Sequence, residues 1–463
     1  MMNLKKILTT SLLCGLSAFS AFSQSPVEIS GTLVKKRLSP VKLFKVSEGK
    51  PVELSSTTPA SNGKFGFLFY PEYEGLYILG TGTVGSPNDN YKFYFKGGDK
   101  LAVDLLDSSY VLTGKLNSKE NIVLTQWHDL VFPLEHRAVN FMKVQSTFVD
   151  YFPLQEEIVA KTKNFLAGKA TGNANFDKRM PRIMAWDLAA YATNFLNTPR
   201  SAHPAVEEYS SFYATLHAQD FAKTTGDVYS MPFGFRTLGG LISVNQRQQG
   251  IKYVPGLEGV KNNLNLIPND TLKGEWVLEA AGRYKTHAEF KTLIGSYGQY
   301  ILTAAQKKRS LDIETPLLTL KTGEEAYPFS YPDKNGKTVS MASLKGKVIL
   351  VDVWATWCGP CRQEIPHLKK LEEEMKGKEV AIISLSTDAV TDKEKWLKMI
   401  RDENLGGIQL FAGGPGNEFS QYYKVNTIPR FLVFDKQGKI VSVDAPRPSN
   451  PELKTLLEKE LAK

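Results

Sequence analysis

At 463 residues the chain is longer than one hydrophobic core usually organises, and a prior of about 150 residues per domain points to about three domains. Apolar residues at 42% and charged residues at 23% exclude a disordered or fibrous chain. The net charge of +9 is interleaved with acids, and the basic clusters Lys35-Lys36-Arg37 and Lys307-Lys308-Arg309 are short, which argues for solvated surface and against nucleic-acid binding.

Residues 1–23 read as a secretory signal peptide: Lys5-Lys6, an apolar stretch from Ile7 to Phe22, then small residues at Ala18, Ser20, Ala21 and Ser23. Cleavage near Ser23 would remove Cys14 and leave Cys358 and Cys361 as the sole cysteines of a periplasmic or secreted chain. A lipid anchor on Cys14 is the competing reading, but Leu13 stands where a small residue belongs. No later stretch has the apolar length of a membrane span.

Residues 24–116 alternate with a period of two, as in Val41 to Val46, Lys64 to Tyr70 and Tyr91 to Phe95, with turns at Asn62-Gly63 and Gly97-Gly98-Asp99. This predicts an all-β, sandwich-like domain. The aromatics Phe65, Phe67, Phe69, Tyr70, Tyr73 and Tyr77 form either a binding face for sugar or peptide, or core and edge. Residues 117–312 change to a helical period, with stripes at Leu154 to Leu166, Met180 to Leu196, Val206 to Ala222 and Trp276 to Lys308. No repeat of fixed length is evident, so a helical domain or spacer is expected rather than a solenoid. His128 and His136, beside Asp129 and Glu135, lie two helical turns apart, too far to share a metal ion.

Residues 313–463 alternate strands with helices. Asp333-Lys334-Asn335-Gly336 reads as a hairpin turn, Val348 to Val353 as a strand buried on both faces, and Arg362 to Lys376 as an amphipathic helix. A strand from Glu379 to Leu385, a helix from Lys393 to Glu403, a strand from Ile408 to Phe411, a helix near Glu418 to Tyr423, a closing hairpin around Gln437-Gly438 and a helix from Glu452 to Ala462 follow.

Cys358-Gly359-Pro360-Cys361 falls where the strand ends and the helix begins. Unpaired N–H groups and the positive end of the helix dipole favour a thiolate there, and the spacing lets the second thiol close a disulfide with the first. Zinc would need two further ligands that the sequence does not place nearby, and a purely structural bridge over so short a loop gains little entropy. Asp352 is a carboxylate within an apolar strand, where burial of a charge costs several kcal/mol or forces the group to hold a proton.

With Trp354-Ala355-Thr356-Trp357-Cys358-Gly359-Pro360-Cys361-Arg362-Gln363-Glu364-Ile365-Pro366, this third of the chain resembles the extracytoplasmic TlpA-like thiol-disulfide oxidoreductases of the thioredoxin superfamily. The β-domain weakly resembles those preceding thioredoxin modules in secreted Bacteroidetes-type proteins. The resemblance implies a thioredoxin-like α/β fold and reduction of protein disulfides, with Cys358 attacking, Cys361 resolving and Asp352 taking the proton from Cys361, the alternative for Asp352 being a satisfied strand-end carboxylate. Glu364 matches an active-site glutamate of several relatives, the alternative being a solvated or helix-start acid. Thr427-Ile428-Pro429 matches the family's cis-proline segment, so Trp357, Gly359, Pro360, Ile428 and Pro429 are the expected substrate surface. Thioredoxin keeps a lysine beside its buried acid, and Val380 to Ile383 offers none, so the proton path here is expected to differ. Neither metal nor cofactor is implied; the implied partners are disulfide-containing proteins and a membrane thiol donor of the CcdA or DsbD type, with the oligomeric state left open. An oxidase or isomerase, or an adaptor that binds through residues 24–312, are the alternatives.

Overall fold

The computed structural model describes residues 25–463 apart from Lys36 and Thr319. The expected signal peptide and Cys14 lie outside the described residues. The chain divides into two compact units, one ending at Tyr253 and the other spanning Val254–Lys463.

The first unit opens with strands β1 (Val27–Leu33), β2 (Val41–Ser47), β3 (Lys50–Thr57), β4 (Lys64–Phe69), β5 (Gly75–Gly80), β6 (Asn90–Phe95), β7 (Lys100–Leu105) and β8 (Tyr110–Leu112). They form two four-stranded sheets, ordered β4-β1-β7-β8 and β3-β2-β5-β6. Alternate residues from both, such as Ile29 and Val103 on one side and Leu43, Tyr77 and Phe93 on the other, meet in one apolar core. Phe65, Phe67, Phe69, Tyr73 and Tyr77 belong to this core or pack against it. Tyr70 alone of the six aromatics is strongly exposed, so they form no continuous binding face.

Helices α1 (Lys119–Val139), α2 (Phe148–Thr162), α3 (Ala174–Asn197), α4 (Ala218–Phe221), α5 (Thr225–Tyr229) and α6 (Gly234–Gln248) complete this unit. Asn121 joins α1 to β6 through a buried amide that accepts from Tyr94 N and donates to Tyr94 O. The stripe from Val206 to Ala222 is not one helix. It forms two 3-10 turns followed by the four-residue α4, because Tyr213 is fully buried with its hydroxyl donating to Ala192 O, and Ser210 and Ser211 bond to Gln155 and Glu156 of α2. These long-range anchors override the local helical period.

The second unit begins with α7 (Gly256–Leu264), α8 (Asp270–Ala281), α9 (His287–Tyr297) and α10 (Ala304–Leu318), which share a small core around Val277, Phe290, Leu293 and Leu317. The stripe from Trp276 to Lys308 is therefore divided among three helices. Thr286 caps α9 reciprocally with Glu289, and that capping box fixes a new helix start where the apolar pattern alone runs on.

A hairpin of β9 (Ser330–Pro332) and β10 (Thr338–Ser340) leads to β11 (Val348–Trp354), α11 (Gly359–Glu374), β12 (Val380–Ser386), α12 (Lys393–Asp402), β13 (Ile408–Phe411), α13 (Glu418–Tyr422), β14 (Arg430–Phe434), β15 (Ile440–Ser442) and α14 (Pro451–Leu461). Five of these strands form a mixed sheet ordered β13-β12-β11-β14-β15, with β11 parallel to β12 and antiparallel to β14. Every residue of β11 is buried. Ile349, Val351 and Val353 enter one core with Leu432 and Phe419, while Val348 and Leu350 meet Leu368 and Leu371 of α11 and Leu453 and Leu457 of α14. By the two-residue period Asp352 shares the face of Val348 and Leu350, the one covered by α11.

Candidate active site

Cys358 is the N-cap of α11, with extended backbone, and Pro360 occupies the first turn, where a missing N–H costs nothing. Cys361 N donates to Cys358 Sγ at 3.2 Å, so the sulfur receives one of the helix's unpaired N–H groups. The two cysteines form a disulfide, their Cα atoms 5.3 Å apart. Trp357, Gly359 and Pro360 are exposed around it. The sulfurs are more enclosed than a helix terminus suggests: each cysteine is 4% exposed and packs with Trp354, Ala355, Trp396 and Phe411, whereas Trp357 is 67% exposed.

Burial pushes the Asp352 carboxyl up to about 8, the negative charge of Glu364 adds to the shift, and a hydrogen bond from Ser384 partly offsets it. Ser384 is the register partner of Asp352 on β12, so a hydroxyl stands beside the buried acid. A cavity of about 20 Å³, enough for about one water, is lined by Asp352, Cys361, Ser384, Glu372 and Gln409. Gln409 Oε1 has no hydrogen-bond partner.

Glu364 is buried and does not behave as a solvated helix-start acid. Its two carboxylate oxygens accept from Ser449 N at 3.0 Å and Ser449 Oγ at 2.9 Å, which ties α11 to the segment entering α14. On the other side of the cysteines the Ile428–Pro429 peptide bond is cis, and Ile428 packs into the cluster that contains both sulfurs. Cys358, Cys361 and Ile428 thus share one apolar cluster, with Trp357 exposed beside the cysteines, Asp352 lining a cavity with Cys361, and Glu364 bonded to Ser449.

Asp388 escapes a motif-based reading. It is fully buried after β12, and its carboxylate accepts from Thr356 N, from Thr356 Oγ1 at 2.7 Å and from Ser386 Oγ at 2.8 Å. It holds the turn that presents Trp357 and Cys358. The available signal is the polar run Ser384-Leu385-Ser386-Thr387-Asp388 directly after an apolar strand.

The Redoxin family model matches residues 321–457. A thiol-disulfide oxidoreductase, ResA, of Bacillus thuringiensis is 30% identical over 141 residues, which cover 30% of this chain and 79% of the relative. The thioredoxin-like protein YneN of Bacillus subtilis is 27% identical over 139 residues, covering 30% of this chain and 80% of that protein. Among solved structures, the thioredoxin domain of a thiol-disulfide oxidoreductase from Bacteroides vulgatus is 30% identical, covers 30% of this chain and 96% of its own, and superposes with a TM-score of 0.27.

Proposed function

Because the chain belongs to the thiol-disulfide oxidoreductases of the thioredoxin superfamily, we propose that it works outside the cytoplasm as a protein-disulfide reductase through Cys358 and Cys361. The observation that carries this reading is the pairing of a helix-capping Cys358 with a Cys361 that shares a cavity with the buried Asp352. In the reduced protein the Cys358 thiolate attacks one sulfur of a substrate disulfide. That bond breaks, a mixed disulfide forms, and the departing substrate thiolate takes a proton. Cys361 then passes its proton to ionised Asp352 and attacks Cys358 Sγ; the bond from Cys358 to the substrate sulfur breaks, the second substrate thiolate leaves and takes up the proton that Asp352 gives back through solvent, and the intramolecular disulfide remains. Two electrons and two protons pass to the substrate in all.

Trp357, Gly359, Pro360, Ile428 and Pro429 form the substrate surface in this reading; burial, with the charge of Glu364 adding to it, raises the Asp352 carboxyl to about 8, so the ionised fraction of Asp352 serves as the base and grows as pH rises toward that value. The leader at residues 1–23 supports export. Turnover then needs a donor that reduces the Cys358–Cys361 bond, for which a membrane thiol donor of the CcdA or DsbD type is suited. Acid quenching of cells followed by thiol alkylation tests the direction. A pool held mostly as dithiol is expected, and a pool held mostly as disulfide would make the protein an oxidase.

A further inference from the structure

The first unit contains a cavity of about 370 Å³ walled by α1, α3, α6 and the edge strand β6, far in sequence from the cysteines. That volume lies at the lower end of the roughly 300–1,000 Å³ of small-molecule sites. Its side walls are aromatic: Tyr110, Trp127, Tyr191 and Phe233. Phe233 sits at φ 57° and ψ 25°, a left-handed conformation that a bulky residue seldom adopts, and so places a ring residue at the start of α6.

The carboxylates in the wall are already engaged. Asp187 accepts from Lys92 and from Trp127 Nε1, and Glu135 accepts from Tyr191 OH at 2.9 Å and pairs with His128 Nδ1 at 3.2 Å. Burial pushes the Glu135 carboxyl up, but His128, Lys92 and Tyr191 together hold it below the usual carboxylate range. The site therefore has no spare anion for a cationic ligand. His128 turns Nδ1 to Glu135, and its Nε2 has no partner. Tyr91 OH is unpartnered as well. Buried polar atoms are normally paired, so these two ask for a hydroxyl that can donate to one and accept from the other. Arg236 is exposed in the wall and donates to Asn194 Oδ1 at 3.0 Å, which leaves most of its N–H donors for an anion.

We propose that this cavity binds a small aromatic carboxylate with a hydroxyl on its ring: the ring lies between the aromatic walls, the hydroxyl meets His128 and Tyr91, and the carboxylate meets Arg236. The first requirement follows from the walls, the second from the unpaired atoms and the third from Arg236, since Lys92, the other cation among the described lining residues, already pairs with Asp187.

Calorimetric titration of the full chain with 4-hydroxyphenylacetate tests the site, with tyramine as a probe of the same ring and opposite charge. Saturable binding is expected for the acid and none for tyramine. Arg236→Ala should weaken binding roughly tenfold or more, the loss expected for one charge-assisted contact. Tyr91→Phe removes an oxygen with no partner in the free protein, so it should melt at the same or a higher temperature while binding the acid more weakly. No binding at millimolar acid, equal binding of tyramine, or affinity unchanged by both substitutions would each overturn the proposal.

Discussion

Asp352 is where charge, stability and turnover meet in a single side chain. The unfolded chain gives up this proton near 3.8, whereas the folded chain keeps it to about 8. The folded state thus binds more protons between those values, and stability falls as pH rises through that window, by up to a few kcal/mol. Asp352→Asn removes the titration, so urea midpoints of variant and parent should diverge in the variant's favour from pH 4.5 to pH 8. A difference independent of pH would mean that Asp352 is ionised at neutrality. The same group predicts the kinetics. Release of the mixed disulfide should accelerate as pH rises toward about 8 and lose that acceleration in Asp352→Asn, as rapid-mixing reduction of a model disulfide can show. The cysteines divide along the same line. Cys361→Ser should accumulate mixed disulfides on non-reducing gels and Cys358→Ser should not, and the reverse pattern would exchange their roles.

Among the elements, the turn between β11 and α11 depends on a residue from β12's far end. Replacing Asp388 by alanine strands Thr356 N–H and its hydroxyl in a half-buried setting and the Ser386 hydroxyl in a buried one, which should cost about 2–3 kcal/mol in chemical denaturation. It should also slow attack by Cys358, because the turn is no longer held, and a variant with unchanged stability would show that water replaces the carboxylate. The elements around this turn are legible in the sequence because β11 is buried on both faces and α11 carries its apolar residues on one stripe. Asp388 is not, since its partner Thr356 lies 32 residues away and no local pattern reports a contact across strands. Glu364 is legible in part: its motif position suggests chemistry, and only the fold reveals Ser449 as its partner. The stripes at Val206 to Ala222 and Trp276 to Lys308 mislead for a related reason, as periodicity counts apolar spacing and not the caps and buried hydroxyls that end a helix.

For the whole molecule, the division at Tyr253 and Val254 sets where the chain can be cut. The sequence reads 117–312 as one helical stretch, yet α7 to α10 fall in the same compact unit as the five-stranded sheet. A chain beginning at Val254 should fold by circular dichroism and reduce insulin at a rate similar to full length. Carrying Cys361→Ser, it should trap physiological partners less selectively, because a surface made of Trp357 and Ile428 contacts little beyond a short segment. Equal partner profiles from both lengths would remove recognition from the first unit. The enclosure of the sulfurs reaches further still. With each cysteine 4% exposed among tryptophan and phenylalanine rings, the disulfide shows little sulfur to any incoming thiol, large or small. Exchange then runs at the pace of well-aligned encounters, so the couple behaves less like an open electrode than like a latch that only a correctly aimed sulfur can lift.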